Sequence, residues 1–397
     1  MTQTLRPLAA CIALTTLSAT PALAADTLTE ALENSDTKLH LRTRFEDVDQ
    51  DGVESSSALT QKTRLTFQSG SFNNLSFLLE MDDTTAITDV DYNDGTGSGI
   101  NPGTAVIADP EGTEVNQVYV SYQMGGTEAR YGRQRILLDN QRFVGGVGWR
   151  QNEQTYDALS FTNKSIDNVE LFYAYVHNVN RIFGEASPAG DHNHETHLLN
   201  ASFSGLNAGK LVGYGYLIEN KTAQTLSSDT FGVRWEGKLT DSLGYNLEYA
   251  SQTEAGDNPV NYSADYMLAE GIAGVQKFKF KLGYEVLGSD EGNAAFTTSL
   301  ATLHAFQGWT DKFLGTPATG VEDLYVSAGH PIGPVNLTVV YHSLSANEGD
   351  MDYGTELGFV AGTKVGPVGL TLKYADYSAD EYATDTSKLW LMAAMTF

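Results

Sequence analysis

The sequence predicts an all-β chain that forms a single transmembrane antiparallel β-barrel of 18 strands, with 16 as the alternative count. Three observations carry this expectation. Apolar and polar residues alternate with a period of two along nearly the whole chain, connections alternate between short and long, and the final alternating stretch ends on an aromatic residue, Phe397. Composition agrees: 39 Gly, 20 Tyr and 17 Phe beside only 41% hydrophobic residues describe strands and turns, not a helical bundle. Beyond the N-terminal segment no apolar run approaches the roughly 20 residues that cross a bilayer as a helix, which excludes a helical membrane protein and leaves a barrel open. With 24 Lys+Arg against 50 Asp+Glu, the net charge of -26 repels a phosphate backbone, so nucleic acid is excluded as a partner.

The N-terminal segment reads as a targeting signal. Arg6 precedes an apolar stretch from Leu8 to Leu17, and Ala22-Leu23-Ala24 supplies the small-x-small pattern that signal peptidase cuts. The expected division is a signal peptide over 1–24, a short periplasmic lead over 25–35 and the barrel over 36–397. Cys11 stands too early in the apolar region for a lipoprotein box. It also falls in the removed segment, so the mature chain has no cysteine for a disulfide or a thiolate metal site.

From Asp36 onward one unit repeats: about ten alternating residues, a short turn, about ten more, then a longer polar loop. In the first strand Leu39, Leu41, Thr43 and Phe45 fall on one face, and Lys38, His40, Arg42, Arg44 and Glu46 on the other. Leu65 and Phe67 likewise oppose Lys62 and Arg64; Phe77, Leu79 and Met81 oppose Glu80 and Asp82; Phe278, Phe280, Leu282 and Tyr284 oppose Lys279, Lys281 and Glu285. Short turns are expected at 70–74, 125–126, 163–168, 205–209, 240–244, 270–274, 331–334 and 366–367. Nine longer connections lie near 49–57, 84–113, 136–153, 179–193, 220–228, 253–261, 287–320, 345–351 and 379–386. Seventeen connections join eighteen strands, and an even count puts both ends on the periplasmic side with the long loops outside.

The last strand carries Leu389, Leu391, Ala393, Met395 and Phe397 on one face. That ending resembles the C-terminal signature read by the barrel-assembly machinery of the bacterial outer membrane. Aromatic residues near strand ends, among them Phe45, Tyr122, Tyr131, Tyr249, Tyr284 and Tyr374, suit the interfacial girdles of such a barrel.

No catalytic signature is present. Gly95-Thr96-Gly97-Ser98-Gly99 lacks the strand-to-helix setting of a phosphate loop, and alternation points His342 and Ser343 to opposite faces. Asp47, Asp49 and Asp51 have the spacing of the first half of a calcium loop, but Ala58 stands where its bidentate Glu belongs, so calcium is a weak candidate. His192, His194 and His197 straddle a loop and a strand start without an acid or thiol framework and read as surface histidines. No cofactor is implied. The acids Asp83, Asp89, Asp91, Asp94, Asp109 and Glu111 gather in one outer loop without a base, where divalent cations would bridge them to lipopolysaccharide.

Bases are distributed differently. Every arginine after Arg6 lies between Arg42 and Arg234. Arg42, Arg44, Lys62 and Arg64 line one wall of the expected lumen; Arg130, Arg133, Arg135, Arg142 and Arg150 cluster about a loop able to fold inward; Lys277, Lys279 and Lys281 form a ladder on a later strand. Guanidinium groups in a narrow pore bind carboxylates by paired hydrogen bonds and select anions. The competing reading is that they neutralise facing acids such as Glu80, Asp82 and Asp157.

Tyr131-Gly132-Arg133-Gln134-Arg135, Leu138-Asp139-Asn140-Gln141-Arg142-Phe143-Val144-Gly145 and Gly148-Trp149-Arg150-Gln151-Asn152-Glu153-Gln154-Thr155-Tyr156-Asp157-Ala158 together resemble the alginate-export-like family of bacterial outer-membrane proteins. The resemblance implies an eighteen-stranded barrel with a basic lumen and passive transport of anions without a cofactor. The expected function is therefore an outer-membrane porin for small hydrophilic, anionic solutes. Arg133, Arg135, Arg142 and Arg150 are expected to form its constriction, Asp139, Glu153 and Asp157 to orient them, and Arg42, Arg44 and Arg64 to extend the basic track. Expected partners are outer-membrane lipid, lipopolysaccharide, the barrel-assembly machinery and the solutes. The alternatives are a non-selective general porin, an enzyme using the barrel as scaffold with His342, and an adhesive or structural protein acting through its acidic loops.

Overall fold

A chain with one face apolar enough for lipid and the other polar enough for water can satisfy both only as a pleated strand, and its backbone groups can all pair only if the sheet closes. The computed structural model, which describes residues 24–87, 92–97, 101 and 103–397, has this form. Eighteen strands follow in order: β1 (Asp36–Gln50), β2 (Ser56–Gln68), β3 (Leu75–Ala86), β4 (Gly112–Met124), β5 (Thr127–Gln134), β6 (Thr155–Asn163), β7 (Val169–Asn180), β8 (Asp191–Leu206), β9 (Gly209–Ile218), β10 (Ser228–Thr240), β11 (Leu243–Glu254), β12 (Ser263–Val275), β13 (Phe278–Leu287), β14 (Val321–Ile332), β15 (Val335–Ser345), β16 (Asp352–Val365), β17 (Val368–Ala379) and β18 (Thr386–Thr396). Each pairs antiparallel with the next. β1 pairs with β18 from His40↔Thr396 to Gln50↔Thr386, so no edge is left open. Phe397 completes the seam, its backbone N–H donating to the Leu39 carbonyl at 2.9 Å.

Alternation sorts the side chains as the sequence predicts. Leu65, Phe77, Met81, Phe280, Leu282, Tyr341 and Leu391 are exposed on the outer wall, while Arg44, Glu46, Lys62 and Glu80 are buried within. Tyr122, Tyr131, Tyr249, Tyr284 and Tyr374 are exposed on the outer face too.

One expected turn is displaced. The segment 270–274 continues β12, and the chain reverses at Gln276-Lys277, where Gln276 takes φ +57° between the partners Val275 and Phe278. Gly271 and Gly274 suggest a turn, but Glu270 beside them is an inward strand residue, accepting from Asn246 at 2.6 Å and Tyr325 at 2.8 Å. Lys277 therefore sits in the turn and does not continue the ladder of Lys279 and Lys281.

The expected signal peptide lies outside the described residues but for Ala24. Residues Ala24–Ala25 pair in parallel with Ser71–Phe72 at the first short turn. A six-residue helix, α1 (Leu28–Glu33), capped by the Thr27 hydroxyl, packs on the same turn. Gly70 donates to the Ala31 carbonyl at 2.8 Å, and a Cβ at Gly70 would lie 2.8 Å from that oxygen.

Long connections also fold into the barrel. Phe143 and Val144 of the 135–154 loop pack with Phe296 and Leu300 of the 288–320 loop against wall residues Tyr214, Tyr216 and Tyr266. Phe143 lies 5.3 Å from Tyr214, 5.1 Å from Tyr266 and 5.7 Å from Phe296, centroid to centroid. The loops join as Gly145 N–H donates to the Leu300 carbonyl at 2.9 Å. Glycine is required there, since a Cβ at 145 would stand 2.3 Å from Thr302 Oγ1.

Candidate functional site

Inward-pointing positions of β1 to β3 carry charges, and the infolded loops bring more, so the interior on that side holds two ionic clusters. In the first, β2 supplies Lys62 and Arg64, β3 supplies Glu80 and Asp82, and the 135–154 loop supplies Arg135 and Glu153. Arg64 grips Asp82 with Nε and Nη2, both at 2.6 Å, and reaches Glu153 at 2.8 Å. Arg135 donates to Glu153 at 2.7 Å and to Glu80 at 2.8 Å, and Lys62 lies 3.0 Å from Asp82. Glu80 is wholly buried and also accepts from Thr66, Asn116 and Gln117. Burial opposes ionisation of Glu153, yet Arg135 and Arg64 hold its carboxyl well below the usual range. The exposure is asymmetric. Arg64 and Arg135 keep 11% and 17% of their side chains exposed, against 0% for Glu80, 4% for Asp82 and 9% for Glu153. The two arginines are thus more exposed than Glu80 and Asp82, while Arg64 differs little from Glu153.

The second cluster is closed. Arg44 lies 4.7 Å over the Trp149 ring and donates to the Trp149 carbonyl at 2.6 Å, with Glu46 and Asp109 each 3.5 Å away. Arg150 pairs with Glu46 at 2.9 Å and Asp311 at 3.1 Å, and Lys388 reaches Asp311 at 2.8 Å. Arg42 differs: its Nε donates to Gln151 at 2.9 Å and Nη1 to the Gly148 carbonyl at 2.9 Å, so it fastens the 135–154 loop through neutral acceptors.

Other expected constriction residues lie elsewhere. Arg142 is fully buried, donating to Glu285 at 2.6 Å, Thr298 at 3.0 Å and Gln307 at 3.1 Å and stacking over Phe306 at 4.7 Å; it joins two loops and lines no open surface. Alternation puts Arg133 on the outward face of Tyr131, at the long-loop rim, where it pairs with Asp157 at 2.9 Å and Glu185 at 2.7 Å. Asp157 therefore orients a rim residue, not a lumen one. Arg130 lies further toward the short turns, paired with Glu128 at 3.0 Å. Among the described residues no arginine pairs with Asp139; it accepts from Asn200 at 2.7 Å and lies 3.7 Å from Lys210. Lys281 pairs with Glu270 at 3.0 Å.

Asp47 and Asp49 occupy the outward face of β1 and Asp51 a turn, and among the described residues no group of three metal-ligating side chains converges. Of the acidic outer loop, Asp89 and Asp91 lie outside the described residues, while Asp109 turns inward and accepts from Gln151 N–H at 2.8 Å. His342 bonds to Asp323 at 2.9 Å inside the barrel.

Sequence reasoning missed the residues that face the loops from the wall beside β1, Lys373 on β17 and Lys388 and Trp390 on β18, together with His304, Trp309 and Asp311 of the 288–320 loop. Inward parity of Lys373, Lys388 and Trp390 was the available signal. Nothing local marks the loop residues.

A family model described as alginate export matches residues 34–284, more than half of the chain. A search of curated proteins gives no match. Among solved structures, the crystal structure of Pseudomonas aeruginosa OpdK with vanillate superposes with a TM-score of 0.72 at 15% identity, covering 92% of this chain and 99% of that one. Pseudomonas aeruginosa OccK3 (OpdO) gives 0.69 at 13% identity, covering 93% and 97%. Acinetobacter baumannii OccAB2 gives 0.69 at 17% identity, covering 92% and 99%.

Proposed function

The chain belongs to the alginate export family and is an outer-membrane β-barrel, and from that premise we propose that it is a passive channel for small hydrophilic anions. One observation carries the anion preference: Arg64 and Arg135 keep more of their side chains exposed than Glu80 and Asp82, the carboxylates with which they pair. The acids hold the arginines in place, and a passing carboxylate would share their remaining N–H donors with Glu153. Vanillate, bound in OpdK, is a carboxylate of that class. In this reading Arg64 and Arg135 meet the solute, Lys62 and Glu153 orient them, and Arg42, Arg44 and Arg150 fix the loop that brings Arg135 into place. No catalytic step is assigned to the barrel.

A non-selective porin is the second reading, favoured by the near-complete pairing of bases with acids. Reversal potentials of the purified protein in planar bilayers under a salt gradient separate the two. Anion preference is expected for the native protein, and replacing Arg64 and Arg135 together by Gln is expected to shift it toward cations, because Glu80 and Glu153 are left uncompensated. Cation preference of the native protein overturns the proposal.

A further inference from the structure

One of the contacts that fasten the 288–320 loop to the barrel wall runs through an imidazole. His304 Nε2 lies 2.7 Å from Lys373 Nζ on β17, and His304 Nδ1 lies 2.7 Å from Asp311 Oδ1. The Asp311 carboxylate can only accept, so Nδ1 carries the proton and donates to it, which leaves the Nε2 lone pair for a Lys373 N–H. The ring stacks on Trp149 of the 135–154 loop at 4.6 Å and 11° and meets Trp390 of β18 edge-on at 5.5 Å. The Lys373 ammonium sits among three indoles, 3.9 Å from Trp309, 4.2 Å from Trp149 and 5.3 Å from Trp390. Among the described residues no carboxylate lies within ion-pairing distance of it, so π faces and the His304 lone pair hold the charge.

Charged groups surround this contact on every side. Asp311 is shared with Lys388 of β18 and with Arg150, and Arg150 leads on to Glu46 of β1. Arg44 lies 4.7 Å over the Trp149 ring. Glu356 of β16 accepts from Trp309 N–H, and from Thr310 N–H at 3.0 Å, anchoring the same loop.

We propose that His304 is a proton-operated latch: protonation of Nε2 breaks its contact with Lys373 and weakens docking of the 288–320 loop, so that the channel conducts more in acid than at neutral pH. This rests on the channel reading above. A second proton on the ring removes the lone pair that Lys373 meets and sets two cations face to face in a site walled by indoles. In the docked loop, burial and then Lys373 hold His304 well below its ordinary range. In a released loop it returns to about 6.5. The docked state thus binds fewer protons. Docking is at full strength above about pH 6.5 and weakens about tenfold for each unit below, down to the docked value. Burial opposes ionisation of Asp311, yet Lys388 and His304 keep it well below its ordinary value, so it stays charged across the same window.

The test compares single-channel conductance and tryptophan emission of the purified barrel at about pH 7.5 and about pH 5, a span that favours release about 30-fold below the histidine's free value. Trp149, Trp309 and Trp390 are three of the four tryptophans of the chain, so release should shift emission to the red while conductance rises. In His304→Gln the amide accepts from Lys373, donates to Asp311 and cannot titrate, so both responses should vanish. In Lys373→Met the clash is gone while Asp311 remains, so acid should tighten docking and the response should disappear or reverse. A native protein unchanged across the range, or a His304→Gln variant that responds like the native protein, overturns the latch. Absence of conductance at any pH overturns the channel reading instead, while emission still reports the loop.

Discussion

At the scale of single residues, the interior is governed by the rule that a buried charge is tolerated only with a partner in place. Arg142 obeys it most completely, with Glu285, Thr298 and Gln307 around its guanidinium and Phe306 beneath it. Arg142→Met should strand the buried Glu285 carboxylate and cost about 3–5 kcal/mol of loop docking. Limited proteolysis of the detergent-solubilised barrel, reading cleavage in the 135–154 and 288–320 loops, checks this; protection equal to that of the native protein would count against it. Lys312 is half-buried in the same loop, and burial with Lys388 nearby lowers its ammonium to about 8. It is therefore partly neutral just above physiological pH.

At the scale of elements, the strands are interchangeable in kind, and the loops make this barrel particular. The 288–320 loop crosses the interior and is held by Glu356 on β16, by Lys373 on β17, by Lys388 through Asp311 on β18 and by Arg142 from the neighbouring loop. It is accordingly the element expected to limit flow. Replacing 296–310 by a short Gly-Ser link should raise single-channel conductance by more than about twofold without altering the migration of unheated protein, because no wall strand depends on that segment for its pairing. Planar-bilayer recording checks this, and unchanged conductance would show that the constriction lies elsewhere. The 270–274 segment carries the complementary lesson. Glycine suggests reversal in a one-dimensional reading, yet within a sheet it also fills a strand position where an inward neighbour such as Glu270 fixes the register.

At the scale of the whole molecule, closure of β1 on β18 makes stability a property of the complete ring, with Phe397 as its last backbone pair. Deleting Phe397 should lower the yield of folded barrel, read as the fraction that migrates differently before and after heating; a yield equal to that of the native protein would show that the terminal pair is dispensable. The sequence by itself determined the wall: eighteen strands, which face meets lipid, and which residues point inward, because alternation is a local property of neighbouring side chains. It also marked Lys62, Arg64, Arg135 and Glu153 as interior chemistry. It did not reveal that Arg142 is a loop anchor, that Arg133 belongs to the rim, or that His304 meets Lys373. Those pairings join residues far apart in the chain, 143 positions between Arg142 and Glu285 and 69 between His304 and Lys373. Parity gives the direction of a side chain but not the depth to which a distant loop descends to meet it, and only the closed barrel decides that.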